Sequence, residues 1–186
     1  QAAYLAKSGF TGAKRILEGA QGLGVAMTEQ ADVARLTDRL GQRWTLAETS
    51  FKFHASCRHT HPAADALQKA MREHELSISD IESVVAHVHQ GAIDVLGPVT
   101  DPQTVHQSKF SMGTVLGLIA AHNTADLVSF DGALKDDAVT EFRDRVSMTL
   151  DTEIDQAYPQ QWIGKVTVTT CDGNVVTAVV QEPKGD

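Results

Sequence analysis

The stretch KVTVTTCDGNVVTAVV, residues 165–180, constrains the fold more than any other part of this 186-residue chain. Valine and threonine alternate on both sides of Asp172-Gly173, the pattern of two half-buried strands joined by a tight turn. β-Branched residues at period two do not make a helix face, and Asp-Gly supplies the positive φ that a type I′ turn requires. A two-residue loop at Asp172-Gly173 puts Val166 and Val168 on one face with Val175 and Val179. One side of this hairpin must be covered by something apolar.

Helical text supplies the cover. In PAADALQKAMREHEL, residues 62–76, Pro62 suits the first helical position, and Ala63, Leu67, Ala70 and Met71 line one face. HQSKFSMGTVLGLIAAHN reads as a second long helix over 105–121, with Gly113, Gly117 and Ala121 at four-residue spacing. Each glycine costs about 1 kcal/mol of helix propensity against alanine, so close approach to a neighbour is expected there. KDDAVTEFRDRV is a third helix, with Asp136 and Asp137 in its first turn and Val139, Phe142 and Val146 inward.

SISDIESVVAHVHQ starts as a turn and becomes a strand near Val84, where His87 and His89 share one face and are expected to meet solvent. RWTLAETSFKF shifts towards period two and is expected to be a further strand. Strands and helices mix without regular βαβ alternation, so the fold class is α+β.

Residues 1–45 differ from the rest. QAAYLAK stops at Gly9, GAKRILEG and GLGVAM follow, and ADVARLTDRLG ends at Gly41 with Val33, Leu36 and Leu40 as a stripe. Such short helices cannot bury their faces alone. The chain opens on Gln1, in helical text, and we expect it to be a piece of something longer. A formal net charge of −8 repels phosphate backbones and argues against nucleic acid as a partner. No run reaches the length of an apolar membrane span. Cys57 and Cys171 stand far apart without a paired pattern, which suits a reducing, cytoplasmic setting.

The stretch FKFHASCRHTHPAADAL, residues 51–67, holds the chemistry. Three readings compete for it. His54, Cys57, His59 and His61 are zinc-capable, but H-x-x-C-x-H-x-H matches no closed structural template and no second ligand cluster exists, so no metal is expected. Each histidine taken singly fits a polar loop leading into a helix. Taken together, Lys52 and Arg58 add fixed positive charge to an acidic chain, and the Pro62 helix adds N-terminal N–H donors that attract carboxylates. Histidine exchanges its proton near neutral pH, so this combination suits acid/base work on a small carboxylic acid.

At these residues the chain resembles the MmgE/PrpD family. KFHASCRHTHPAADA is similar to that family's lysine, cysteine, threonine-histidine and downstream aspartate pattern. GFTGAKRILEGAQG resembles its GFTGP…LEG…G segment, SKFSMGTVLGLIAA its KFSLPYAVA helix, and VTVTTCDGNVVTAVVQEPKGD its hairpin, where a DG turn precedes …P.G.P.

The resemblance implies cofactor-independent lyases and isomerases of small di- or tricarboxylates, among them 2-methylcitrate dehydratase, cis-aconitate decarboxylase and iminodisuccinate epimerase. It also implies a homodimer with an all-helical domain and an inserted α+β lid, the active site lying between them. Residues 1–45 would be a remnant of the helical domain and 46–186 the lid. Lys52 matches the family's active-site lysine, and His59 and His61 are the candidate proton carriers. Arg58 and Cys57 are the candidate substrate contacts. Decarboxylase-type members carry a catalytic histidine where this chain has Cys57, which points away from cis-aconitate decarboxylation. Lys109, Phe110 and Ser111 match the KFS segment and are expected to pack. The aromatic residue that often follows is replaced by Gly113 or Thr114. The resemblance leaves a second class open, a non-catalytic ligand-binding or dimerisation module of the same fold.

Overall fold

The computed structural model describes residues 1–185; Asp186, which ends the hairpin motif, lies outside the described residues. Contacts divide the chain into two units, Gln1–Thr49 and Ser50–Asp186. The first holds two short helices, α1 (Ala2–Lys7) and α2 (Leu23–Met27), and 3₁₀ turns at Val33–Leu36 and Thr45–Glu48. GAKRILEG, expected as a helix, forms successive turns instead. The strand expected in RWTLAETSFKF is also absent. A strand needs a neighbour for its backbone groups, and this stretch pairs with none in the described sheet. Tyr4, Phe10, Met27, Trp44 and Leu46 all remain exposed in this unit.

The second unit begins with α3 (His61–Glu73) and β1 (Ile81–Val88), followed by α4 (Gln90–Leu96), α5 (Val105–Ser108) and α6 (Met112–His122). Next come α7 (Ser129–Gly132), α8 (Asp137–Arg143), β2 (Val146–Leu150) and α9 (Thr152–Ala157). The hairpin β3 (Gly164–Thr170) and β4 (Val175–Val180) closes it. The sheet runs β2-β1-β3-β4, with β1 parallel to β2 and both other pairs antiparallel. The α+β expectation holds.

One face of the sheet is core. Ile81, Val84 and Ala86 of β1 and Val166 and Val168 of β3 are fully buried, and α3 lies over β3 and β4 with Ala63, Ala66, Leu67 and Ala70. Burying each of the larger side chains contributes about 1.5–3 kcal/mol relative to leaving it in water. α6 packs between α3 and α8, and it is apolar on nearly every side because it is the central layer. The glycine spacing is explained here. A Cβ on Gly117 would lie 2.8 Å from the Val139 carbonyl oxygen, and one on Gly113 would lie 2.7 Å from that of Arg143.

Local signals move three boundaries. The single helix expected over 105–121 is two, because hydroxyls intervene. Thr104 caps α5 by accepting from the Gln107 N–H at 3.1 Å, and Ser111 caps α6 by accepting from that of Thr114 at 3.3 Å. α8 begins at an Asp136 cap and ends before Val146, which the sequence pattern put in the helix and the structure puts in β2. The hairpin loop is one residue longer than Asp172-Gly173 alone. Thr170 donates its N–H to the Asn174 carbonyl at 2.9 Å, Gly173 takes φ +86, and Cys171 joins the turn. That slip exchanges the faces of β4. Val166 pairs with Ala178 and Val168 with Val176, while Val175 is 62% exposed.

Candidate functional site

Residues 50–60 reach α3 with no strand or α-helix of their own, ending in a 3₁₀ turn at Arg58–Thr60. Their side chains sort by depth. His54, Ser56 and Thr60 are buried; Phe51, Lys52 and Phe53 are exposed; Cys57, Arg58 and His59 lie between. Backbone bonds fix the path: Ala55 donates to the Ala125 carbonyl at 2.9 Å and Cys57 to that of Lys109 at 2.8 Å. The KFS segment thus braces the crowded loop through its main chain, as a packing role requires. Thr60 donates its hydroxyl proton to the Cys57 carbonyl at 2.8 Å, so it is not free to cap α3. The first turn of α3 is itself buried. The donors expected there do not reach this unit's surface; the side chains of Lys52 and Arg58 do.

His54 is not a surface residue. Its Nε2 sits 2.9 Å from Oδ1 of Asp65, and both side chains are almost fully buried. The other oxygen, Oδ2, accepts the Lys184 N–H at 2.7 Å. Burial alone would raise the Asp65 carboxyl, but the bonds from His54 and Lys184 outweigh it and hold the group below its usual range.

The ring of His61 stands edge-on to His54, with centroids 5.1 Å apart, and neither of its nitrogens has a hydrogen-bond partner. Burial first, then the nearby charges of His54, Arg58 and Lys52, push it down to about 4. The Ser56 backbone opposes that shift without the geometry of a hydrogen bond. His61 is therefore neutral at pH 7. Because its folded value lies below the unfolded one, this neutral burial favours the fold above about pH 6.5 and is lost as pH falls towards 4. The loss should reach on the order of 3 kcal/mol. Denaturant midpoints measured across that window should fall in the native chain and fall less in His61→Leu; parallel curves would refute the assignment.

His59 turns the other way. Its Nδ1 meets Nε2 of His89 at 3.1 Å, and His89 stacks on Tyr158 with centroids 3.8 Å apart. Trp162 lies 5.3 Å from the His59 ring, and the Arg58 guanidinium sits 5.5 Å over Trp162. Both imidazoles are pushed below their ordinary value, His59 by burial and then Lys52, His89 by burial and then His59. The adjoining crevice has a volume of only ≈10 Å³. The expectation that His89 meets solvent is overturned: β1 ends at Val88, and His89 turns inward as the residue before α4. His87 stays on the open sheet face, bonded to the Thr167 hydroxyl at 2.9 Å.

His54, Cys57, His59 and His61 do not converge. Among the described residues no three His, Cys, Asp or Glu side chains gather as a metal ion needs. The loop instead presents Lys52 and Arg58 outward, with the imidazole rings of His54, His59 and His61 behind them. Asp65, His89, Tyr158, Trp162 and Lys184 are not among the site residues that the sequence points to, and His54 enters there only as a zinc-capable side chain. Asp65 did leave a signal, since it is a carboxylate among Ala63, Ala64, Ala66 and Leu67.

The family model of the MmgE/PrpD C-terminal domain matches residues 54–186, most of the chain and all of this loop from His54 onward. The chain belongs to the MmgE/PrpD family. No curated protein matches it significantly. The four-stranded mixed sheet and its helices are this chain's form of the MmgE/PrpD C-terminal domain. Among the described residues no helix is long and apolar enough to cross a membrane.

Proposed function

We propose that this chain contributes one wall of a cofactor-independent active site that abstracts a proton beside a carboxylate of a small di- or tricarboxylic acid, followed either by loss of the neighbouring hydroxyl as water or by return of the proton on the other face. The observation that carries this reading is the pair of outward cations, Lys52 and Arg58, on one short loop of a chain with net charge −8. A polycarboxylate needs two such fixed charges to be held in one orientation, and a guanidinium can grip a carboxylate with two parallel bonds. Lys52 binds one carboxylate or acts as the acid/base group. Arg58 holds a second, and half-buried Cys57 adjoins them. His59, linked to His89, is the ring best placed to pass a proton. His61, wholly buried and neutral, acts from behind the loop.

Dehydration of a 2-methylcitrate-like acid and epimerisation both use this chemistry. The remaining wall would come from a helical domain of the same polypeptide, and the working unit would be a homodimer. Free Cys57 and Cys171 fit a cytoplasmic location. The test is to supply 2-methylcitrate, cis-aconitate and iminodisuccinate to the polypeptide with its helical domain, with chelator present. Turnover of one of them supports the proposal. Binding without turnover favours the non-catalytic module, and neither binding nor turnover removes the reading.

A further inference from the structure

Phe51 and Phe53, on either side of Lys52, are 73% and 58% exposed. The core therefore does not hold the segment that carries the lysine. The far end of the chain does. The Phe51 N–H donates to the Gly185 carbonyl at 2.8 Å, and the Phe51 carbonyl accepts from Arg58 Nη1 at 3.4 Å. One residue earlier in the tail, Lys184 donates its N–H to Asp65 at 2.7 Å, while its Nζ donates to Gln68 Oε1 at 2.6 Å and lies 4.9 Å from the centre of the Phe53 ring. Pro183, just before, is buried. Asp65 is the junction: one oxygen takes His54 from the loop, the other takes Lys184 from the tail.

We infer that Pro183-Lys184-Gly185 is a strap that fixes the backbone at Phe51 and so aims Lys52, with the buried His54–Asp65 pair as its anchor. Gly185 admits no side chain. Its φ is +96, and a Cβ there would lie 2.0 Å from the Phe51 carbonyl oxygen. The main chains of tail and loop touch directly at that point, so any larger residue must push them apart. Gly185 and the backbone N–H of Lys184 do the positioning. Their consequence for catalysis rests on the function proposed above; their consequence for the loop does not.

Gly185→Val, made in the polypeptide with its helical domain, tests the strap by amide hydrogen exchange. Exchange at the Phe51 N–H should quicken roughly tenfold, with Val84 in β1 unchanged, because the loss is local. In an active enzyme kcat should fall more than KM changes, since Lys52 is still present but misaimed. Lys184→Ala, which keeps the backbone N–H, should leave the Phe51 exchange rate near the native one. Unchanged exchange at Phe51 in Gly185→Val, or equal acceleration at Val84, overturns the strap. A native enzyme inert towards every carboxylate offered would overturn the functional reading instead, and the exchange rates would still decide the strap.

Discussion

Lys52→Ala is expected to lower turnover by roughly 10²–10⁴-fold in the polypeptide with its helical domain, the range of a positioned acid/base group. That equals about 3–5 kcal/mol of transition-state stabilisation. Little of it should appear as lost stability, because Lys52 is exposed and, among the described residues, its Nζ donates a hydrogen bond to the Ser56 carbonyl alone, at 3.2 Å. His87→Ala is the control. His87 lies on the open sheet face against Thr167 and Asp151, and its loss should cost activity little. Steady-state kinetics on both variants decide the matter: equal, small losses would take the site away from the crowded loop.

Asp65→Ala should do the reverse and act on the fold. The carboxylate is 6% exposed and bonded to both His54 and the Lys184 N–H. Removing it leaves a buried imidazole and a backbone donor without their acceptor. Breaking a buried pair from one side costs about 3–5 kcal/mol. For a chain of this size that is a fall of roughly 10 °C in Tm. Because the Asp65 carboxyl is held below its ordinary value, its contribution is present above about pH 3.9 and fades as pH drops further. The Asp65→Ala penalty should accordingly shrink in acid. A melting curve that matches the native protein at neutral pH would show that the pair does not hold the loop.

The hairpin shows how far the sequence could be read. Asp172-Gly173 located the turn, but the three-residue loop depends on the bond from Thr170 to Asn174 and on Asp172 accepting the Asn174 N–H, neither of which alternation reveals. One extra residue was enough to trade Val175 for Val176. Likewise the apolar run around α6 was legible, whereas the break at Ser111 turned on a single hydroxyl. Lys52 and Arg58 stood out because they sit together in a histidine-rich loop of a chain with net charge −8. Among the partners of the rings only Asp65 left a sign; the others come from distant elements, His89 from the end of β1, Tyr158 and Trp162 from the connection between α9 and β3. Periodicity reports which side of an element is buried, but not which other element covers it.

The strand order also has a consequence in time. Val84 pairs with Val168 on one side and Val146 on the other, so both ladders of β1 join residues far apart along the chain. Among the paired strands of the described sheet, β3 and β4 alone are joined by a short turn. Closing a long loop is an entropic barrier met before any contact repays it, and parallel pairing is slower still because its crossover must form as well. Here that crossover carries α4 to α8. The hairpin is thus the natural first ladder, and both ladders of β1 must follow it. Asp151, which follows β2 and accepts from Lys165 at 2.8 Å, then ties the end of the edge strand to the start of the hairpin.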